Sequence, residues 1–333
     1  MRSGQVALLL FSAVVSVFGQ QLDFLNHGKP VLDAHNCYPY KGQWNDRIER
    51  ALSLGRPIGI EQDLAWYVDP VTHQGRVVVS HSMKTTGAEP TLRQHFFERV
   101  RPQIEAALKE NQRSTWPLII VHFDFKDNQE PLLRAVWDLL GEYEPWMTTA
   151  VKGTDSSKLA PFDPKPLLVM TEDSDEQEKV FFTDVKPGQK LRLFGSAHTS
   201  LPKAANAQER MHLAATLPPA KLLAEQPSNY RRWWNNSWYE VEEGGQPRAG
   251  DWTPEENARL KSLVDYAHSL GFWIRFYTLD GFNKEDDKGW GNSYNFGSEE
   301  AVRLRWKAAI EAGVDLIASD QYEDLNAFMN FLR

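Results

Sequence analysis

The chain has 333 residues, 41% of them hydrophobic and 25% charged, an ordinary globular composition with enough length for one large core. Its formal charge of -8 argues against nucleic acid as a partner, because polyanion binding calls for a basic face. A single cysteine excludes an internal disulfide, so stability must come from packing.

In chain order, the first feature is a sorting signal. Arg2 precedes an apolar run over 6–18, then small Gly19 and polar Gln20 and Gln21. The run is too short to span a bilayer, and its basic start and small end predict a cleaved signal peptide over 1–19. The mature chain is then secreted or periplasmic, with at most peripheral membrane contact, and a monomer is expected. Short apolar strands are predicted at 31–34, 58–63, 77–80, 118–124, 167–171, 191–196, 272–278 and 314–320. Helical patterns separate several of them, notably at 91–109 and 130–140. The strongest helix start is Thr253-Pro254-Glu255-Glu256, where threonine caps, proline takes the first helical position and Glu256 closes a capping box. That helix carries Leu260, Leu263, Val264, Ala267 and Leu270 on one face and stops at Gly271. A further helix over 298–312 ends at Gly313.

Continuously apolar strands alternating with helices imply an α/β fold with a parallel sheet covered on its outside. No glycine-rich phosphate fingerprint opens a helix, which favours a closed (β/α)₈ TIM barrel over a dinucleotide-binding sheet. One domain is expected over 20–333. The stretch 201–251 fits the alternation poorly and is read as an insertion over the barrel mouth.

Polar residues gather where these strands end, and the C-terminal ends of barrel strands are where such a fold carries its chemistry. The ends read Asp33-Ala34-His35-Asn36, Glu61-Gln62-Asp63, Ser80-His81-Ser82 and His122-Phe123-Asp124-Phe125-Lys126. Residues two apart on a strand share a face, so Glu61 and Asp63 point together, as do His122, Asp124 and Lys126. Three inward carboxylates repel one another unless a cation sits among them, and oxygen donors alone suit Mg²⁺ or Ca²⁺. His35 and His81 are the candidate acid–base pair, since imidazole titrates near neutrality. Lys126 either faces a phosphate oxygen or pairs with a carboxylate. Cys37, two residues after His35, is a conceivable thiol nucleophile but reads better as a small packed residue.

Taken in order, these residues resemble the superfamily of glycerophosphodiester phosphodiesterases and phosphatidylinositol-specific phospholipase C-like barrel enzymes. The matching positions are His35-Asn36, Glu61-x-Asp63, His81 and Asp124-x-Lys126, and the Asp form of the last is similar to the sphingomyelinase D branch. Late in the chain, Phe276-Tyr277-Thr278 and the run 313–320 resemble the family's closing strands. In place of a tryptophan often found late in that strand, this chain has Trp273 earlier and Arg275 following on its face. The resemblance implies a metal held by Glu61, Asp63 and Asp124, catalysis by His35 and His81, and substrate contacts from Asn36, Lys126 and Arg275. It implies a small-molecule or lipid phosphodiester substrate, cleaved by hydrolysis or by cyclisation. His35 is written as the base and His81 as the acid, with the roles interchangeable at this stage.

Two other readings stay open in the sequence. Twelve tryptophans and strand-end carboxylates also describe a glycoside hydrolase, with the run 231–238 as a sugar platform. The alternative is a barrel that binds a lipid or phosphate without catalysis. The triplet Asn235-Asn236-Ser237 fits a glycosylation pattern, and the acidic run 172–176 a Ca²⁺-binding loop or a solvated turn.

Overall fold

A computed structural model describes residues 23–25, 27–40, 42–155, 158–281 and 294–332. The expected signal peptide lies outside the described residues. In chain order the strands are β1 (Val31–Ala34), β2 (Ile58–Val68), β3 (Gly75–Val79), β4 (Ile119–Phe125), β5 (Thr149–Val151), β6 (Phe162–Asp163), β7 (Leu167–Thr171), β8 (Lys190–Leu191), β9 (Phe194–Ser196), β10 (Arg231–Ser237), β11 (Trp273–Tyr277) and β12 (Leu316–Ser319). Eight of them, in the order β1-β2-β4-β7-β9-β10-β11-β12, are hydrogen-bonded in parallel, and β12 returns to β1. The result is the closed (β/α)₈ barrel that the sequence predicts.

The helices are α1 (Arg47–Ser53), α2 (Glu98–Glu110), α3 (Glu130–Glu142), α4 (Asp175–Glu178), α5 (Ala207–Thr216), α6 (Pro219–Leu222), α7 (Pro254–Leu270), α8 (Glu299–Ala312) and α9 (Tyr322–Phe331). The capping box expected at Thr253 and Glu256 is formed, and Gly271 and Gly313 end their helices in the left-handed conformation. These caps satisfy terminal backbone groups that would otherwise face the packed barrel wall. None of the described helices is long and apolar enough to cross a membrane.

Three sequence expectations change. The run 77–80 is not a barrel strand: β3 turns back antiparallel on β2 as an outer hairpin. The run 191–196 is split, its first part joining β5 and β6 in a small antiparallel sheet and its second forming β9. Phe162 of β6 stacks on Trp273, the first residue of β11, so the small sheet covers the N-terminal end of the barrel, away from the strand ends that carry the polar residues. The stretch 201–251 contains α5, α6 and the barrel strand β10, and only its Ser237 and Tyr239 reach the central cavity at the mouth. Trp233 and Trp234 of this strand, and Trp238 just after it, are wholly buried core residues and not a surface platform.

Candidate active site

Barrel register brings the polar strand ends together. In the β2–β4 pairing Glu61 lies opposite His122 and Asp63 opposite Asp124. In the β1–β2 pairing Ala34 lies opposite Ile60, so His35, the next residue, arrives beside Glu61. Ala34 also lies opposite Ser319 on β12, which sets Asp320 against His35. Close approach of β1 and β2 needs glycine at position 59, where a Cβ would lie 2.4 Å from Asp33 Oδ1. The room left there lets Asp33 turn to Arg275, with which it forms a short, fully buried ion pair.

His35, Glu61, Asp63, His81, Asp124 and Lys126 line one cavity of about 470 Å³ at the C-terminal mouth. Oxygens of Glu61, Asp63 and Asp124 all lie within 4.8 Å of one another. Lys126 Nζ sits 2.7 Å from both Asp63 Oδ2 and Asp124 Oδ2, and the Tyr38 hydroxyl donates to Asp63 Oδ2 at 2.6 Å. Thus the Lys126 ion pair, one of two readings of this residue, is the arrangement observed. Glu61 is held by the Asn36 backbone N–H at 2.9 Å and by Arg275 Nη2 at 3.3 Å. The first of these contacts depends on Asn36 taking a left-handed conformation, φ 50°, which asparagine tolerates better than most residues.

Burial and the charge of Asp124 hold the Asp63 carboxyl well above the usual range in spite of Lys126. Burial opposes ionisation of Glu61 as well, but His35 and Arg275 pull it well below the usual range. The trio is therefore short of positive charge at its Asp63–Asp124 end. An all-oxygen donor set in that state, buried at Glu61 and Asp63 and open to the cavity at Asp124, fits a hard divalent ion, and these residues are able to hold one.

The two histidines sit in opposite fields. His35 Nδ1 is 2.8 Å from Asp320 Oδ1, its Nε2 is 3.4 Å from Glu61 Oε2, and its ring stacks on Tyr277. Burial works to lower its pKa, yet the carboxylates of Glu61 and Asp320 raise it to about 9. His81, more exposed and set edge-on to Tyr40, is lowered by partial burial and by Lys126. The two shifts run in opposite directions, so His35 favours the protonated form and His81 the neutral one.

Asn36 and Arg275, expected as substrate contacts, line cavities but have protein partners of their own. Asn36 Nδ2 donates to Asp320 Oδ1 at 3.0 Å, and Arg275 Nη1 to Asn235 Oδ1 at 3.0 Å. Cys37 is fully buried, and burial pushes its thiol up to about 12, which removes it as a nucleophile. Asn235 donates to Glu172 from inside β10, so its side-chain amide is engaged within the barrel. Glu172 itself turns from the acidic run to accept from His122 Nε2 at 2.5 Å. Sequence reasoning missed Asp280, the pairing of Asp320 with His35, Tyr38 and the placement of Tyr277 on His35. Asp280 and Asp320 each come just after a closing strand, the signal that located the other carboxylates. Thr278, between Tyr277 and Asp280, is β-branched yet has φ 60°, a strained conformation held by Gln246 Nε2 on its carbonyl at 2.7 Å.

No family model matches the chain, and no curated protein matches it in sequence. Among solved structures, it is similar to a glycerophosphoryl diester phosphodiesterase from Parabacteroides distasonis at 13% identity and a TM-score of 0.42, over 95% of this chain and 92% of that one. A glycerophosphodiester phosphodiesterase from the same organism is similar at 12% identity and a TM-score of 0.45, over 91% and 97% of the two chains. Plasmodium falciparum HPPK-DHPS reaches the same TM-score, 0.45, at 9% identity over 91% of this chain and 48% of that one. Likenesses this distant do not separate one barrel chemistry from another, so function has to be argued from the site.

Proposed function

We propose that the chain is a secreted phosphodiesterase, dependent on Mg²⁺ or Ca²⁺, that cleaves a glycerophosphodiester or a (lyso)phospholipid. The observation that carries this reading is the meeting, in one cavity, of an oxygen-only acidic trio, an ammonium group and two histidines of opposite protonation preference. A divalent ion held by Glu61, Asp63 and Asp124 would supply neutralisation of the phosphodiester charge. The directions of the two histidine shifts favour His81 as the group that accepts a proton from the nucleophile and His35 as the group that donates one to the leaving alcohol, the reverse of the first assignment from sequence. Asp320 holds the Nδ1 side of His35 and leaves Nε2 toward Glu61 and the cavity. Asn36 and Arg275 support the site by orienting Asp320 and Glu61.

A glycoside hydrolase loses its main support, because the tryptophans of β10 are buried and the acidic trio has lysine and histidine among its neighbours. The test is turnover of glycerophosphodiesters and lysophospholipids with and without EDTA, for the native protein and His35→Ala, with products identified by mass spectrometry. Loss of activity under both treatments is expected, and the product separates hydrolysis from cyclisation. A protein that binds divalent ions yet cleaves no phosphodiester would overturn the proposal.

A further inference from the structure

Lys126 occupies a particular place in the acidic trio. Its ammonium is 2.7 Å from Asp63 Oδ2 and 2.7 Å from Asp124 Oδ2, so a single nitrogen bridges two of the three carboxylates. Glu61 has a separate cation, the Arg275 guanidinium, anchored in the barrel wall by Asp33 and Asn235. The two cations differ in freedom. Arg275 is about 1% exposed and pinned at three points, while Lys126 hangs on a flexible stem at the cavity edge with about 19% of its side chain exposed. Lys126 directly follows the last residue of β4, and its backbone N–H donates to Leu64 O at 2.9 Å. Its backbone is therefore fixed by the β2–β4 pairing, while its ammonium can be released without unravelling the strand.

Lys126 engages one oxygen, Oδ2, of each aspartate, and a divalent ion drawn to those same oxygens would be repelled by the ammonium at contact distance. Resting on the reading of Glu61, Asp63 and Asp124 as a cation site, we propose that Lys126 is a resident counter-ion that competes with the divalent ion for Asp63 and Asp124. Entry of the ion displaces the ammonium into the cavity, where it becomes available to a phosphate oxygen. The trio is then never left as bare buried carboxylates, and cation binding comes before phosphate binding by Lys126. No covalent step is involved; the exchange trades two ammonium–carboxylate contacts for ion–carboxylate contacts.

The competition makes a counter-intuitive prediction. Removing a positively charged active-site residue should tighten metal binding. Calorimetric titration of Mg²⁺, and separately of Ca²⁺, is measured on the full-length mature protein, Lys126→Gln, Lys126→Arg and Glu61→Gln, with folding checked by circular dichroism. Lys126→Gln should bind at least about tenfold more tightly than the native protein, a change of about 1.4 kcal/mol, while Lys126→Arg should stay close to native. Equal or weaker binding by a folded Lys126→Gln overturns the inference while leaving the cation site intact. Binding that survives unchanged in Glu61→Gln, or no binding by any form, instead overturns the site itself. A measurement without substitution covers a variant that fails to fold: amine labelling of Lys126 in the native protein, followed by peptide mass spectrometry. Labelling should rise on addition of Mg²⁺, and labelling that stays constant or falls contradicts displacement.

Discussion

Two acidic clusters face each other across the barrel mouth, and they are built differently. On the β2–β4 side, Glu61, Asp63 and Asp124 are drawn together by strand register, and Asp63 and Asp124 share one cation on a flexible stem, Lys126. On the β11–β12 side, Asp280 and Asp320 lie with His35 within the same span of 4.8 Å, and fixed donors reach Oδ1 of each. Asp280 Oδ1 accepts from Ser319 Oγ at 2.6 Å and from the Asp320 backbone N–H at 2.7 Å. Asp320 accepts from His35 and Asn36, and its other oxygen lies 3.5 Å from Nη2 of the buried Arg47. Burial and the nearby Asp320 raise Asp280 to about 7, so this pair relieves its repulsion by holding a proton. The contrast separates two uses of clustered carboxylates: one cluster with a displaceable counter-ion is suited to exchange cations, and one tied by internal donors is suited to orient an imidazole.

The largest expected effect comes from the residue that joins the two clusters. His35→Ala should lower phosphodiester turnover by roughly 10²–10⁴-fold, the usual worth of an acid–base group, with little change in divalent-ion affinity. A proportionate loss of ion affinity would merge the clusters into one cation site. Next, Asp124→Asn should weaken Mg²⁺ binding by on the order of 10²-fold by calorimetry, whereas Asp280→Asn should leave it nearly unchanged. Asp320→Asn is expected to cost roughly 10–100-fold in turnover, because it alters the partner that orients His35. This variant also tests the electrostatics. With His35 acting as the proton donor, activity falls as pH rises through about 9, and loss of the Asp320 charge should move that limb to lower pH. A limb that stays in place would remove His35 from the donor role.

The smallest effect is on stability, away from the chemistry. Burial lowers His95 to about 4, and its Nε2 lies 3.3 Å from the Cys37 carbonyl. A depressed histidine pKa means that the unfolded chain binds the proton first. The stability tied to neutral His95 is thus fully present above about 6.5 and is lost as pH falls toward about 4. Between pH 7.5 and 4.5 the native protein should lose about 2 kcal/mol more than His95→Leu in urea unfolding. Parallel losses in the two proteins would show that His95 does not titrate on unfolding.

Legibility followed local pattern. Barrel strands bounded by helix caps, such as β11 after Gly271 and β12 after Gly313, are visible because the signal lies within a few residues. For the same reason the carboxylates of β2 and β4 stand out, since a period of two places Glu61 with Asp63 and Asp124 with Lys126 on one face. β10 was hidden because Arg231, Arg232, Asn235 and Asn236 break an apolar run, and only the closed barrel supplies their partners: Arg232 binds the Asn229 and Ala160 carbonyls, and Asn235 binds Glu172 and Arg275. The ion pair of Lys126 with two carboxylates, and the clamp of Asp320 on a histidine 285 residues away, depend on inter-strand register and so are not readable along the chain.

Anomalous diffraction from crystals of the protein grown with Mn²⁺, a scattering substitute for Mg²⁺, tests the central claim most directly. The account predicts one strong peak among the oxygens of Glu61, Asp63 and Asp124, with Lys126 Nζ moved off both aspartates. A peak between His35, Asp280 and Asp320, or an ammonium still bridging Asp63 and Asp124 with no ion beside it, would contradict it.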